Sequence, residues 1–333
     1  MSDLKLNFGF WDYEHTRALV DGTVKVDGVD ATFESAAIVS GIFERMVRER
    51  AFDVSELGLT LYLRTLDLDD PPFVAIPVFP ARHFRHSAVF VNTSSGIDKP
   101  QDLAGKTIGE FAMYGTDAGV WAKGILSDDY GVTPDQCRWV IGGTNWPMAP
   151  FDFIPQLHPA DVDVTAAPQG KALGTMLQAG EIDALISVDV PRCVLNSAPQ
   201  VAPLFPDTES AERDYFRRTG IFPIMHTIVV PKDLLARHPG LATTTYRGFR
   251  DAKDVAMQHY RNGMTKQHID VMIPWFTPLF DKNRHLLGED WWPYGVEGNR
   301  HAIDTFLRYH FEQGLSRRRL TCEDIFVPEL LST

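Results

Sequence analysis

Cysteine is scarce in this sequence, and long apolar runs are absent from it. The 333 residues include three cysteines, Cys137, Cys193 and Cys322, whose odd number and wide spacing exclude a disulfide framework and a cysteine-based metal site. No uncharged apolar run approaches the roughly 20 residues that a membrane-spanning helix needs. Residues 1–7 carry neither the basic nor the apolar stretch of a secretory signal. We therefore expect a cytoplasmic protein without a membrane partner.

The chain also has fewer basic than acidic residues. The chain has 32 lysines and arginines against 44 aspartates and glutamates, which gives a net charge of −12. This balance disfavours a nucleic acid or an anionic membrane as a partner, and the three arginines at 317–319 are too few to change that. The 11 histidines show no His-x₃-His spacing. We therefore predict that the protein uses no metal ion and no other cofactor.

Apolar segments with strand character alternate with segments of helical periodicity along most of the chain. The clearest strands are predicted at residues 4–10, 52–61, 73–79, 107–109, 138–141, 182–188 and 225–230. Helices are predicted at 116–126 and 171–179, the second ending at Gly180, and helices dominate after residue 249. Strands separated by helices are typical of parallel sheets, so we predict an α/β fold.

The C-terminal part has no strands of its own and must pack on a sheet formed earlier in the chain. The simplest arrangement has two lobes with a cleft between them. Lobe I would contain residues 1–88 and 229–333, and lobe II would contain residues 89–228. The chain would then cross between the lobes near residues 85–92 and 222–231, which are apolar and strand-like.

Six segments, in order along nearly the whole chain, carry a family resemblance. They are Phe-Asp-Val-Ser-Glu-Leu (52–57), Pro-Phe-Val-Ala-Ile-Pro-Val-Phe (72–79), Phe-Arg-His-Ser (84–87), Gly-Glu-Ile-Asp-Ala-Leu-Ile-Ser (180–187), Arg-Thr-Gly-Ile-Phe-Pro-Ile-Met-His (218–226) and Trp-Pro-Tyr-Gly-Val-Glu (292–297). Together they resemble the 4,5-dihydroxyphthalate decarboxylase family. The Gly-Glu-Ile-Asp-Ala part is common to many solute-binding proteins, whereas the first, third and fifth segments are more particular.

The resemblance implies both a fold and an activity. The fold would be of the type II periplasmic-binding-protein-like kind, turned into a cytoplasmic enzyme. The activity would be decarboxylation of a hydroxylated aromatic acid, 4,5-dihydroxyphthalate to protocatechuate, so the expected partner is a small aromatic dicarboxylate. A homo-oligomer is left open. Two alternatives remain, namely a non-catalytic binding protein for an aromatic carboxylate and a cofactor-biosynthesis enzyme of the same fold.

The chemistry of this reaction determines which residue types the site needs. Direct loss of carbon dioxide from an aromatic ring leaves a carbanion that the ring cannot delocalise. Protonating the carbon that bears the carboxylate avoids this, because the para hydroxyl can supply electrons and become a ketone-like oxygen. The site therefore needs an acid near that carbon, a base near the hydroxyl, cations for the carboxylates and exclusion of water.

Three residues are candidates for proton transfer. His86 and His226 lie near the two predicted crossings, and histidine titrates near neutral pH, so either could donate the proton. Glu56 follows an apolar stretch and could accept or hold the hydroxyl proton. The sequence does not choose between the histidines. Structural roles also stay open, with His226 as a hydrogen-bonded core residue and Glu56 as a helix cap or ion-pair partner.

Seven residues are candidates for substrate binding. They are Arg82, Arg85, Ser87, Glu110, Tyr114, Thr116 and Arg192. Arginine presents a planar fork that binds carboxylate with two parallel hydrogen bonds. Thr116 is expected chiefly as a helix cap, and Arg192 equally as a surface partner of Asp189.

The geometry of residues 84–91 limits what this segment can offer to a ligand. If the segment is extended, Arg85 and Ser87 point to one face and His86 points to the other. We therefore expect at most some of these side chains to reach the same ligand.

Overall fold

The computed structural model describes residues 4–333. Its strands are β1 (Leu4–Gly9), β2 (Val29–Glu34), β3 (Val54–Gly58), β4 (Phe73–Ile76), β5 (Val89–Asn92), β6 (Thr107–Phe111), β7 (Arg138–Gly142), β8 (Asp163–Ala166), β9 (Ala184–Ile186), β10 (Val201–Pro203) and β11 (His226–Pro231). None of the helices in this part of the chain is long and apolar enough to cross a membrane.

The helices are α1 (Arg17–Val20), α2 (Val39–Glu49), α3 (Leu59–Thr65), α4 (Asp117–Tyr130), α5 (Leu173–Ala179), α6 (Arg192–Leu195), α7 (Thr208–Thr219), α8 (Lys232–Arg237), α9 (Leu241–Gly263), α10 (Phe276–Leu287), α11 (Arg300–Glu312) and α12 (Cys322–Ile325). The predicted end of α5 at Gly180 is confirmed, because this glycine has a left-handed backbone with φ of 74° that a Cβ would strain.

The strands form two mixed sheets. The first sheet has the order β2-β1-β3-β11-β4, in which β1 runs parallel to β2 and β3 and β11 runs antiparallel to β3 and β4. The second has the order β10-β5-β9-β6-β7-β8, in which β6, β7, β8 and β9 run parallel. Helices connect most of the parallel strands, which confirms the predicted α/β class.

The chain passes between the sheets twice. The first sheet takes its strands from residues 4–76 and 226–231, and the second takes its strands from residues 89–203. β11 already pairs with β3 from His226 onward, three residues before the start of the C-terminal part of lobe I that we predicted. The lobe limits themselves stay a prediction.

Residues 84–91 do not form one extended strand, so the condition that we set for this segment is not met. A short 3-10 helix at His86–Ala88 precedes β5, and Arg85 adopts φ and ψ of −123° and 7°. The side chains of this segment therefore do not alternate between two faces as they would in an ideal strand. The 3-10 turn changes the direction of each side chain.

Helix α4 packs against helix α11 from the other end of the chain. The buried Trp121 ring lies 5.5 Å from the Phe306 ring and 5.7 Å from the Tyr309 ring, measured between centroids. Gly124 leaves room for Tyr309, since an added Cβ would come within 2.2 Å of that ring. The helix that follows β6 of the second sheet is thus fixed to the C-terminal part of the chain.

Candidate active site

A cavity of about 450 Å³ lies where strands of both sheets end. Many of the residues that line it follow directly after the carboxyl ends of β1, β2, β3, β6 and β9. Ligands of α/β proteins usually bind at this edge of the sheet. The wall is largely apolar and rich in aromatic rings, among them Trp11, Phe43, Phe111, Trp146, Phe151 and Trp292. A space of this size and lining suits a small aromatic molecule.

His226 is the histidine of β11 that lines this cavity. Strand pairing brings it next to Glu56, since His226 lies opposite Gly58 at the end of β3. The His226 Nδ1 lies 2.6 Å from Glu56 Oε1. A carboxylate only accepts hydrogen bonds, so Nδ1 carries the proton and donates it. This contact orients the imidazole and leaves its Nε2 as the nitrogen available to a ligand.

Glu56 is fully buried and its two oxygens have protein partners. The Tyr13 hydroxyl donates to Oε1 at 2.6 Å, and the Trp11 backbone N–H donates to Oε2 at 2.8 Å. Burial, followed by the Glu56 charge, raises the pKa of Tyr13 far above its usual value, so this residue remains a phenol. Glu56 therefore lies behind His226 and is not itself part of the cavity wall.

Arg85 lies in the wall of the same cavity as His226. Its Nε donates to the sulfur of Met225, the residue before His226, at 3.1 Å. Across residues 4–333, no carboxylate forms an ion pair with the Arg85 guanidinium. Burial lowers the pKa of Arg85 to about 10, which leaves it charged at neutral pH. A buried cation without an anionic partner is a strong place for a ligand carboxylate.

Arg82 also lines the cavity, but protein groups already occupy most of its donors. Its guanidinium donates to the carbonyl of Phe222 at 3.1 Å and that of Pro293 at 2.7 Å, and also to the side-chain oxygen of Asn299. Burial lowers the pKa of Arg82 to about 9. It contributes positive charge to the wall and joins three segments of the chain.

Asp117 is a site residue that our sequence analysis did not name. It is the first residue of α4, lines the cavity, and accepts the Thr60 backbone N–H on Oδ1 at 2.7 Å. Burial raises the pKa of Asp117 to about 6, although the charges of His226 and Arg85 act against this shift. The available signal was an acid after a capping threonine that follows a strand.

Thr116 has the capping role that we predicted for it. Its side-chain oxygen accepts the Gly119 backbone N–H at 3.2 Å at the start of α4, and the residue also lines the cavity. The capping prediction is confirmed.

His86 and Ser87 lie outside the cavity wall. The His86 ring packs edge-to-face on Phe205 and Tyr215, and burial lowers its pKa to about 4, so it is neutral at physiological pH. The Ser87 backbone N–H donates to Glu212 at 3.0 Å and its hydroxyl donates to the Phe84 carbonyl at 3.2 Å. Within residues 4–333, neither side chain hydrogen-bonds to His226 or to Arg85.

Glu110, Tyr114 and Arg192 also lie outside the cavity wall. Glu110 is paired with Lys123 at 2.6 Å in the core, and the Lys123 ammonium lies 3.7 Å from the centre of the Tyr114 ring. Arg192 is exposed at the start of α6, where its backbone N–H donates to Asn145 at 2.7 Å. The structure therefore separates these three from His226 and Arg85.

The chain is similar in sequence to known decarboxylases. No protein-family model matches it. It is 36% identical over its whole length to the 4,5-dihydroxyphthalate decarboxylase of Comamonas testosteroni, covering 99% of that protein. It is also 36% identical over 217 residues, 65% of this chain and 83% of the relative, to the 4,5-dihydroxyphthalate decarboxylase of Pseudomonas putida.

Solved structures give the fold. The periplasmic aliphatic sulphonate binding protein SsuA from Escherichia coli matches with a TM-score of 0.52, 11% sequence identity and full coverage of both chains. At that identity the likeness concerns the fold alone. It confirms the periplasmic-binding-protein-like fold predicted from the sequence.

Proposed function

Because this chain belongs to the 4,5-dihydroxyphthalate decarboxylase family, we propose that its cavity decarboxylates a hydroxylated aromatic acid, with 4,5-dihydroxyphthalate as the first substrate to test. The family membership confirms the resemblance that the six sequence segments indicated. The presence of Arg85 and His226 in the wall of one aromatic-lined cavity is the observation that carries the proposal.

Substrate binding follows from the composition of the wall. Arg85 offers a buried cation to one carboxylate, and its planar fork matches the two carboxylate oxygens. Aromatic side chains such as Trp292 and Phe43 offer apolar contact to the ring. The same apolar wall excludes water from the reacting carbon, which strengthens every electrostatic contact in the site.

Ring protonation is assigned to His226 in this proposal. A carboxylate bound by Arg85 would lie with its ring in the cavity that His226 also lines, so we place the ring carbon within reach of His226. The doubly protonated ring of His226, whose Nδ1–H is held by Glu56, then donates its Nε2 proton to that carbon, and the C–C bond to the carboxylate breaks as carbon dioxide leaves. His86, the other candidate from the sequence, lies among Phe205 and Tyr215 instead of in the wall.

Glu56 has a positioning role in this proposal. The sequence suggested that it accepts the substrate hydroxyl proton, but Tyr13, Trp11 and His226 already contact its two oxygens. It would orient the ring through the Nδ1–H and stabilise the imidazolium, whose Nε2–H faces the cavity. Another residue must then accept the hydroxyl proton.

Asp117 completes the charged side of the cavity. It lies close enough to Arg85 and His226 for their charges to act on its pKa. We propose that its negative charge partly offsets the positive charge of Arg85 and of protonated His226. A carboxylate substrate would then not bind too tightly for turnover.

The direct test is an assay with purified protein and 4,5-dihydroxyphthalate that follows carbon dioxide and protocatechuate. In deuterated water the product should carry one deuterium at the vacated ring carbon, since the new hydrogen comes from an exchangeable acid. A chelator-treated sample should react at the same rate if the predicted absence of a metal holds. Tight binding without turnover would favour a ligand-binding protein instead.

The proposed setting is phthalate breakdown in the cytoplasm. Cys137, Cys193 and Cys322 are all unpaired and buried, as a reducing compartment allows. Fractionation of cells that express the native gene would test this, and recovery of the protein in the periplasmic fraction would contradict it.

A further inference from the structure

Asp189 is a cavity residue whose carboxylate has no role in the reaction described so far. It follows β9 of the second sheet and lines the cavity at its rim. Its backbone N–H donates to the Ser187 hydroxyl at 3.2 Å. Throughout the described residues 4–333, its side-chain oxygens receive no hydrogen bond and form no ion pair, so Arg192 is not its partner.

Asp189 differs in position from the other acid of the wall. Asp117 is linked to the first sheet through Thr60 and interacts with Arg85 and His226. Asp189 instead follows β9, is exposed at the rim, and has a pKa that desolvation raises. The wall therefore has two cationic candidates, Arg85 and His226, and within residues 4–333 it also has a rim carboxylate that hydrogen-bonds to neither of them.

The two kinds of polar group on the proposed substrate would interact differently with the cations and with this carboxylate. A ring carboxylate only accepts hydrogen bonds and would be repelled by Asp189. A phenolic hydroxyl donates a hydrogen bond, and a carboxylate is its strongest protein acceptor. On this ring each carboxylate is para to a hydroxyl, so a carboxylate held at Arg85 puts that hydroxyl at the opposite end of the ring from Arg85.

Building on the proposed decarboxylation, we propose that Asp189 recognises the ring hydroxyls and serves as the base for the hydroxyl para to the departing carboxylate. It would thereby determine the specificity of the cavity for hydroxylated rings. This assignment gives Asp189 the task that the sequence analysis gave to Glu56.

The proton and electron movements balance. The para O–H bond breaks and its proton goes to Asp189, while a proton from His226 forms a C–H bond at the carbon that bears the carboxylate. The C–C bond then breaks, carbon dioxide leaves, and its electron pair restores the aromatic ring as a phenolate. Asp189 returns the proton to the phenolate oxygen, and solvent reprotonates His226, so the reaction consumes one proton in total.

The test compares Asp189→Asn and Asp189→Ala with the control Asp163→Asn. Asp163 is an exposed acid of β8 in the same sheet, so its replacement removes the same charge outside the cavity. Each variant is assayed for turnover of 4,5-dihydroxyphthalate. Binding of 4,5-dihydroxyphthalate and of phthalate, which lacks the hydroxyls, is measured by calorimetry.

The proposal expects a loss that depends on the hydroxyls. Asp189→Asn should lower kcat by about 10²–10⁴-fold, and Asp189→Ala should also weaken 4,5-dihydroxyphthalate binding by roughly 10- to 100-fold. Phthalate binding should stay equal or become tighter, because a repulsive charge has gone. Asp163→Asn should behave like the wild type.

Two results would overturn the inference. One is Asp189→Asn with wild-type kcat and KM, and the other is an equal loss of affinity for both ligands in Asp189→Ala. If the wild-type protein shows no turnover at all, the decarboxylase proposal fails separately. The two calorimetric affinities then still decide whether Asp189 recognises hydroxyls.

Discussion

His86 and His226 show how strongly the environment of a residue decides its chemistry. The two histidines are equivalent as sequence signals, since each lies near a predicted crossing. In the folded protein His226 contacts the Glu56 carboxylate and the cavity, whereas His86 is enclosed by two aromatic rings. Only His226 has both a carboxylate that accepts its Nδ1–H and a place in the cavity wall.

Replacing these histidines separately should therefore give different kinetics. His226→Asn should lower the single-turnover rate by about 10²–10⁴-fold with a nearly unchanged KM, because it removes a positioned acid and no clamp. His86→Asn should leave the single-turnover rate of the folded enzyme close to that of the wild type. The reverse pattern in rapid-quench measurements would contradict the assignment of His226.

The clamp residue Arg85 should be sensitive to its shape as well as its charge. Arg85→Lys keeps the positive charge but loses the planar fork and the Nε contact with Met225. We expect KM to rise by roughly 10-fold or more, since hydrogen bonds to charged groups are worth about 1.5–3 kcal/mol. Arg45→Lys, at an exposed ion pair with Glu34, is the control and should leave KM unchanged. Equal KM values in all three proteins would remove Arg85 from the clamp.

Asp117 should make stability depend on pH. Its pKa is about 6 in the folded protein against 3.8 as the ordinary value. The stability that comes from its neutral form is therefore complete below pH 3.8 and is lost as pH rises through 6. Asp117→Asn removes this dependence, so the variant should gain on the order of 1 kcal/mol relative to the wild type between pH 5 and pH 8.

Urea titrations of both proteins at these two pH values measure this difference. Activity should fall in the same variant, as expected when an active-site charge is replaced. A stability difference that stays constant with pH would show that Asp117 ionises normally in the folded protein.

At the scale of elements, the contact between α4 and α11 depends on one glycine. An alanine Cβ at Gly124 would lie 2.2 Å from the Tyr309 ring, closer than any real contact. Glycine lowers helix propensity by about 1 kcal/mol relative to alanine, so its presence inside α4 reflects this packing. Trp121, three residues earlier, packs on the same neighbouring ring.

Gly124→Ala should destabilise the protein by about 1–3 kcal/mol in spite of its better helix propensity, because overpacking exceeds the gain. Gly41→Ala in α2 is the matched control. Its Cβ would lie 3.6 Å from Ala36, an ordinary contact, so it should be neutral or stabilising by up to about 1 kcal/mol. Chemical denaturation gives both values, and equal effects of the two changes would disprove the packing argument.

At the scale of the whole molecule, the buried core extends over both sheets. A single cluster of buried apolar side chains includes Phe8 of the first sheet, Ile108 of the second, and Trp121 and Phe306 of the helices that join them. The buried Trp121 indole N–H also donates to the Ile224 carbonyl at 2.7 Å, just before β11. If either sheet unfolded alone, the apolar side chains of this shared core would become exposed to water.

Unfolding should accordingly follow one transition. Exposing the shared apolar surface costs free energy whichever half opens first, so partly unfolded states should not accumulate. Calorimetry should give a ratio of calorimetric to van't Hoff enthalpy close to one. Two resolved transitions, or a ratio far above one, would instead indicate two independent lobes.

The sequence by itself determined the fold class, the main strands and helices, and the family. These features depend on the order of residues within short windows, such as the apolar stretch before Glu56 or the end of α5 at Gly180. Hydrophobic periodicity and helix capping involve residues that are close in sequence, so the sequence alone can predict them. The same windows missed β2, which has six residues, and also β8 and β10, which are only four and three residues long.

Only the tertiary structure decided which side chains form the site. Glu56 and His226 are 170 residues apart in the chain, and Arg85 and Met225 are 140 apart, yet strand register and loop packing bring each pair into contact. A one-residue change of register between β3 and β11 would turn His226 to the other face of the sheet. Because register and the burial of Asp117 are fixed by contacts between distant segments, no local pattern encodes them.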